Sequence, residues 1–78
     1  MEHSGQDRPA LRKGVYRHFK GGLYQVLGLV CHSETEEWLV LYHPCNDSGV
    51  LWVRPYSHFM AVVEKPGYIG PRFAHLKD

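Results

Sequence analysis

His18-Phe19-Lys20-Gly21-Gly22-Leu23-Tyr24-Gln25-Val26-Leu27-Gly28-Leu29-Val30-Cys31-His32-Ser33-Glu34-Thr35-Glu36-Glu37-Trp38-Leu39-Val40-Leu41-Tyr42 decides the fold. It holds two apolar runs, 23–31 and 38–42, divided by a polar connection over 32–37. Each run is short and rich in β-branched and aromatic residues, which fit a pleated, half-buried surface. The stretch therefore reads as a β-hairpin. In the first run both alternate sets of residues are largely apolar, so periodicity does not choose an inward face. Such a strand is central, or covered by a neighbour or partner. Gly28 in mid-strand marks a bulge or sharp bend.

The connection contains Ser33-Glu34-Thr35-Glu36, which matches the S-x-x-E box that opens many helices. The residues C-terminal to this box argue against a helix. Trp38-Leu39-Val40-Leu41-Tyr42 favours a strand, and Pro44 arrives too soon for a helix interior. The expected element is a turn, then a third strand over 37–43.

Outward from this hairpin, residues 14–19 read as a first strand through Val15, Tyr16 and Phe19. Lys20-Gly21-Gly22 is the turn that joins it to the second, because paired glycines accept the positive φ of tight hairpins. Residues 44–49 form a loop with Asn46-Asp47-Ser48-Gly49 as its turn, and 50–54 a fourth strand that Pro55 stops. Residues 55–58 are one tight helical turn or the start of a longer helix, since proline suits a first helical position. The preferred reading is one turn followed by a strand over 59–64. Residues 66–78 hold two prolines and two glycines and are expected to lie across the domain and fray. Residues 1–13 are polar and read as a flexible tail. The expected organisation is a tail over 1–13, one β domain over 14–73 and a C-terminal tail over 74–78. The fold class is all-β: a small SH3-like barrel of about five strands with one short helical turn. An open five-stranded sheet would read the same way.

The chain has 78 residues, one domain's worth. A domain this small buries only about 60% of its unfolded surface, so aromatics must fill the core efficiently. The formal charge of +1 gives no whole-molecule attraction to nucleic acid or membrane, but the charge is segregated. Residues 25–53 carry four acids and no Lys or Arg, whereas 1–24 carry five basic residues against two acids and 54–78 four against two. No run of about 18 apolar residues is present, and no hydrophobic leader, which points to the cytoplasm. Cys31 and Cys45 then read as free thiols.

Several short blocks together resemble one family: Gly14-Val15-Tyr16-Arg17-His18-Phe19-Lys20-Gly21, Tyr24-Gln25-Val26-Leu27-Gly28, His32-Ser33-Glu34-Thr35, Leu51-Trp52-Val53-Arg54-Pro55 and Pro71-Arg72-Phe73. It is a small bacterial family of unknown function, with G-x-Y-R-H-F-K-G, H-S-E-T and L-W-V-R-P motifs. The resemblance implies a short domain without an assigned activity. Cys31 and Cys45 fall outside its pattern.

Chemistry-bearing groups are few. Cys31-His32 and His43-x-Cys45 would sit at opposite ends of the hairpin, and no C-x-x-C or H-x-x-x-H knuckle is present, so no metal is expected. No cofactor is implied. Cys31 and His32 are adjacent on a strand and face opposite ways, Ser33 and Ser48 lack a G-x-S-x-G context, and no phosphate loop exists. There is thus no catalytic signature. His32 reads as a turn-stabilising residue; the sharper alternative is a small enzyme using His32 and Glu34 as an acid–base pair. Tyr16-Arg17-His18-Phe19-Lys20 and Trp52-Val53-Arg54-Pro55-Tyr56 alternate ring and cation, a pattern that stacks bases or grips a peptide. Core packing competes for these rings, and at least two of Tyr16, Phe19 and Trp52 are expected inside. The expected role is a non-catalytic binding module whose candidate residues are Arg17, His18, His32, Glu34, Thr35, Trp52 and Arg54. Its partner would be a ligand, a peptide or nucleic acid, with a structural homodimer as the other alternative.

Overall fold

A computed structural model describes residues 8–78. The element order is β1 Gly14–His18, β2 Leu23–Cys31, β3 Trp38–Pro44, β4 Trp52–Pro55, α1 Tyr56–Phe59, β5 Val62–Lys65, β6 Tyr68–Pro71 and β7 Phe73–Lys77. The mostly-β expectation holds. Among the described residues there are seven strands rather than about five, arranged as a five-stranded antiparallel sheet of order β4-β3-β2-β1-β7 and a two-stranded sheet β5-β6.

The opening hairpin is the sheet's centre. β2 pairs β1 on one side and β3 on the other, and the register shifts between Val26 and Gly28 where the bulge was expected. β1 to β4 follow the sequence closely. α1 is a single turn, Tyr56–Phe59, and the strand after it starts later than expected, at Val62. The fraying C-terminus is corrected. Residues 66–67 turn, β6 pairs back on β5, and β7 pairs antiparallel with β1, so residues 74–77 belong to the main sheet and are not a tail. In the N-terminal segment, Tyr56 Oη donates to the Ala10 carbonyl at 2.8 Å and Tyr16 Oη to the Arg12 carbonyl at 2.7 Å, tying residues 10–12 down. Residues 1–7 of the expected tail lie outside the described residues.

Cross-strand partners project to the same side of a sheet, so the register sorts the faces. Tyr16, Val26, Tyr42, Val40 and Phe73 line one face, and α1 lays Phe59 onto them. Phe59 is fully buried. It stacks on Phe73 with centroids 4.1 Å apart and meets Tyr16 and Tyr42 edge-on at 5.3 and 5.7 Å. Six buried residues form this core, four of them aromatic, so rings do replace volume that a short chain lacks. The sheet curls around the core. Its two edge strands approach through Arg54 of β4, whose guanidinium lies 5.4 Å from the Phe73 ring of β7, while the strand order stays open. The opposite face carries Leu23, Leu27 and Val53, each more than a third exposed.

Candidate functional site

Alternation along β1 sends Tyr16 and His18 to the core side and Arg17 to the other. His18 is half-buried at the rim. Its ring lies 4.8 Å from Phe73, 4.6 Å from Phe19 and 6.4 Å from Tyr24. The turn fixes its tautomer: Lys20 N–H donates to His18 Nδ1 at 3.1 Å, so the ring proton resides on Nε2.

Arg54 reaches the same rim from β4. Its Nε donates to Tyr42 Oη at 3.0 Å and its Nη1 lies 3.0 Å from His58 Nδ1. A guanidinium can only donate, so His58 Nδ1 accepts and His58 too is neutral with its proton on Nε2. Arg72 enters from the link between β6 and β7. The backbone holds it: its N–H donates to the Ala61 carbonyl and its carbonyl accepts from Phe19 N–H, both at 2.9 Å. The Arg72 Nε is buried and has no hydrogen-bond partner among the described residues.

Two guanidiniums thus converge on two neutral histidines. The His18 pKa is lowered from its ordinary value, first by partial burial and then by the positive charges of Arg54, Arg72 and Lys20. His58 is lowered as well, by desolvation and by Arg72 and Arg54. No carboxylate contributes to either shift. Neither salt bridge found among the described residues, Arg12–Asp78 and His75–Asp78, engages Arg54 or Arg72.

Rings flank the cluster. Trp52 is 42% exposed and lies 6.0 Å from Tyr24 and 5.8 Å from Tyr42. On the other flank Phe19 stacks on Tyr68 at 5.8 Å, with Lys65, Lys20 and Arg72 at 5.2, 5.8 and 6.0 Å from its ring. Of Tyr16, Phe19 and Trp52, Tyr16 alone is in the buried core, against the expectation of at least two.

The structure therefore gathers His18, Trp52 and Arg54 and separates the rest of the nominated set from them. Arg17 is exposed on the other face of β1. His32, Glu34 and Thr35 lie beyond the far end of nine-residue β2, roughly 25 Å along the strand from its start. There His32 Nδ1 accepts the backbone N–H groups of Glu34 at 3.1 Å and Thr35 at 3.2 Å. His32 organises the turn, and its Nδ1 is not facing a carboxylate. His32→Ala is expected to cost about 1 kcal/mol in urea denaturation, the value of a satisfied turn, while leaving the packing of the rim around His18 and Arg54 unchanged. Cys31 and Cys45 sit at opposite ends of the β2–β3 hairpin, Cys31 opposite Trp38 and Cys45 bonded through its N–H to the Leu23 carbonyl. Among the described residues no three His, Cys, Asp or Glu side chains are grouped as metal ligands. A hollow of about 500 Å³ opens on the far side of Tyr16, lined by Leu11, Tyr56, Met60 and His75 among others, and it is mostly apolar.

His58, Lys65, Tyr68 and Arg72 are missing from the set that the sequence nominates. Arg72-Phe73 repeats the ring-and-cation pattern of the two blocks that were singled out, and His58 follows Arg54 by four residues, so signals existed for both.

An antiparallel sheet curled round an aromatic core, with a cationic rim, defines a small, mostly β domain. Residues 14–75 match the profile of a protein family of unknown function, DUF1653, and the chain belongs to that family. It is similar to a crystal structure of a DUF1653 protein from Bordetella bronchiseptica, with 34% sequence identity and a TM-score of 0.75 over 87% of this chain and 94% of that one. No curated protein matches. Among the described residues no helix is long and apolar enough to cross a membrane.

Proposed function

We propose that this domain is a non-catalytic binding module that holds an oxyanion at the rim formed by His18, Arg54, His58 and Arg72. One observation carries the reading: Arg54 and Arg72 meet at the rim beside His18 and His58, and neither guanidinium is in a salt bridge among the described residues. A bound anion would neutralise the pair without displacing an existing ion pair. Charge-assisted bonds from guanidinium to phosphate, sulfate or carboxylate oxygens are the strong ones, and two arginines provide them in a forked geometry. The Nε2–H groups of both histidines add neutral donors.

An amide NMR titration with sodium sulfate, at constant ionic strength against chloride, tests this. Sulfate does not titrate near neutral pH, so the histidines alone supply the pH dependence. Shifts are expected at His18, Arg54, His58 and Arg72. Arg54→Gln is expected to weaken binding about tenfold and Arg17→Ala to leave it unchanged, since Arg17 lies on the other face. Desolvation first and neighbouring cations second hold both histidines below their ordinary pKa, and a bound anion offsets the second effect. Binding therefore favours proton uptake, and affinity rises as pH falls through the lowered histidine range. In the free protein the sign is opposite for stability. The unfolded chain binds more protons than the folded one between the lowered His18 pKa and the ordinary value, so stability falls as pH drops through that window. Shifts scattered over the surface, or equal affinities of Arg54→Gln and wild type, would refute the site.

A further inference from the structure

The rim is more than an anion hole. It is a track in which ring platforms alternate with cations. We infer that its ligand is single-stranded nucleic acid, with a phosphate between Arg54 and Arg72 and bases on the Tyr24–Trp52 and Phe19–Tyr68 platforms to either side.

This inference rests on the anion-binding reading and extends it. Three arrangements support it. His18 touches both platforms, 4.6 Å from Phe19 and 6.4 Å from Tyr24, so the cationic cluster stands between two aromatic surfaces rather than at the end of one. Each platform has its own cations, Arg54 on the strand of Trp52 and Lys20 and Lys65 around Phe19. Trp52 also keeps a large exposed fraction, 42%, in a domain whose other interior-side rings are mostly covered. A lone oxyanion needs no rings. A phosphorylated side chain needs one pocket and one cluster, whereas a strand of nucleotides presents ring, phosphate and ring in succession. Bases stack on aromatics irrespective of sequence, and the backbone is followed by positive charge. A duplex hides its base faces and would not fit the platforms.

Fluorescence anisotropy with labelled six-nucleotide single strands, oligo-dT and oligo-dA, tests the assignment on the full chain. Both are expected to bind, the matching duplex more weakly. The logarithm of the binding constant should fall with the logarithm of salt at a slope of about −0.7 to −1.4, as one or two phosphates require. Trp52→Leu is expected to weaken the oligonucleotide about tenfold and leave the sulfate titration unaltered, while Trp52→Phe restores most of the loss. Arg72→Gln should weaken both ligands. Circular dichroism of each variant guards against loss of fold, and Phe19→Leu gives the same test on the second platform.

The outcomes separate the two readings. Sulfate bound at the rim with no tighter binding of either single strand overturns the nucleic-acid assignment and leaves the oxyanion site. A phosphopeptide that binds more tightly than either strand overturns it too, as do Trp52→Leu and Phe19→Leu variants that bind the strands like wild type. Neither sulfate nor oligonucleotide at the rim overturns both.

Discussion

Phe59→Ala is expected to leave the domain largely unfolded at physiological temperature. Phe59 is fully buried and is the residue on which the core converges, with Tyr16, Tyr42 and Phe73 all in ring contact. Truncating a buried phenylalanine removes about 3–5 kcal/mol, the transfer energy of the ring together with the cavity it leaves. A domain of this size has a total stability on the order of 5 kcal/mol, so the loss is comparable with the whole. Collapse of the sheet onto the void is the usual relief, but α1 is one turn and is pinned between Pro55 and the Met60 N–H bond to the Tyr56 carbonyl. The check is urea denaturation followed by far-UV circular dichroism. Phe59→Leu should retain a cooperative transition at a lower midpoint. For Phe59→Ala a midpoint within about 1 M of wild type would mean that the four rings do not form a cooperative core.

Gly14→Ala is expected to be nearly as damaging, for a backbone reason. Gly14 opens β1 with φ +126°, a conformation that L side chains rarely adopt. A Cβ there would overlap the Lys77 carbonyl oxygen and lie 2.7 Å from the Asp78 Cα, both main-chain atoms of the neighbouring segment that cannot swing aside. Strain and steric overlap therefore act together. Gly21→Ala is the control, because Gly21 also has positive φ, +110°, yet a Cβ there meets nothing within 4 Å. Gly21→Ala should cost about 1–3 kcal/mol, the strain alone, and Gly14→Ala more. Hydrogen exchange localises the difference. In Gly14→Ala the amides of β7 should exchange faster than those of the β2–β3 hairpin; equal acceleration in the two regions would show that the β1–β7 junction is not where the damage falls.

The parts of this fold that were legible from the residues are those specified locally. β2 begins after Gly21-Gly22 and runs to Cys31, the bulge falls by Gly28, and Pro55 stops β4, each marked by a residue with restricted or unusually free backbone geometry. The region after residue 65 reads as a loop for the converse reason. Pro66, Gly67, Gly70 and Pro71 punctuate it so densely that it resembles a loop. Its strands exist because β6 finds β5 and β7 finds β1, pairings that no local propensity announces. The site divides likewise. His18, Trp52 and Arg54 lie together at the rim, on strands whose residue types already alternated ring and cation. Arg17 was grouped with His18, yet neighbours on a strand face opposite sides, so alternation alone separates them. His32, Glu34 and Thr35 stand out as polar residues on an apolar hairpin, and the turn itself uses His32. Arg72 and His58 join the cluster through tertiary packing; the Arg72-Phe73 pair and the Arg54–His58 spacing hint at their involvement, but neither says which rim they reach.

The pairing of β1 with β7 has a kinetic consequence. Strands β1 to β4 form a meander whose contacts are close in sequence, whereas Arg17 finds Ala74 and His18 finds Phe73 across more than fifty residues. Closing so long a loop is the late and slow part of assembly. Until it happens β1 is an exposed sheet edge, and its free N–H and C=O groups can recruit another chain instead of β7. Refolding should therefore be most aggregation-prone in the interval after the meander has formed and before the last strand docks, and it should be rescued by dilution rather than by denaturant removal alone.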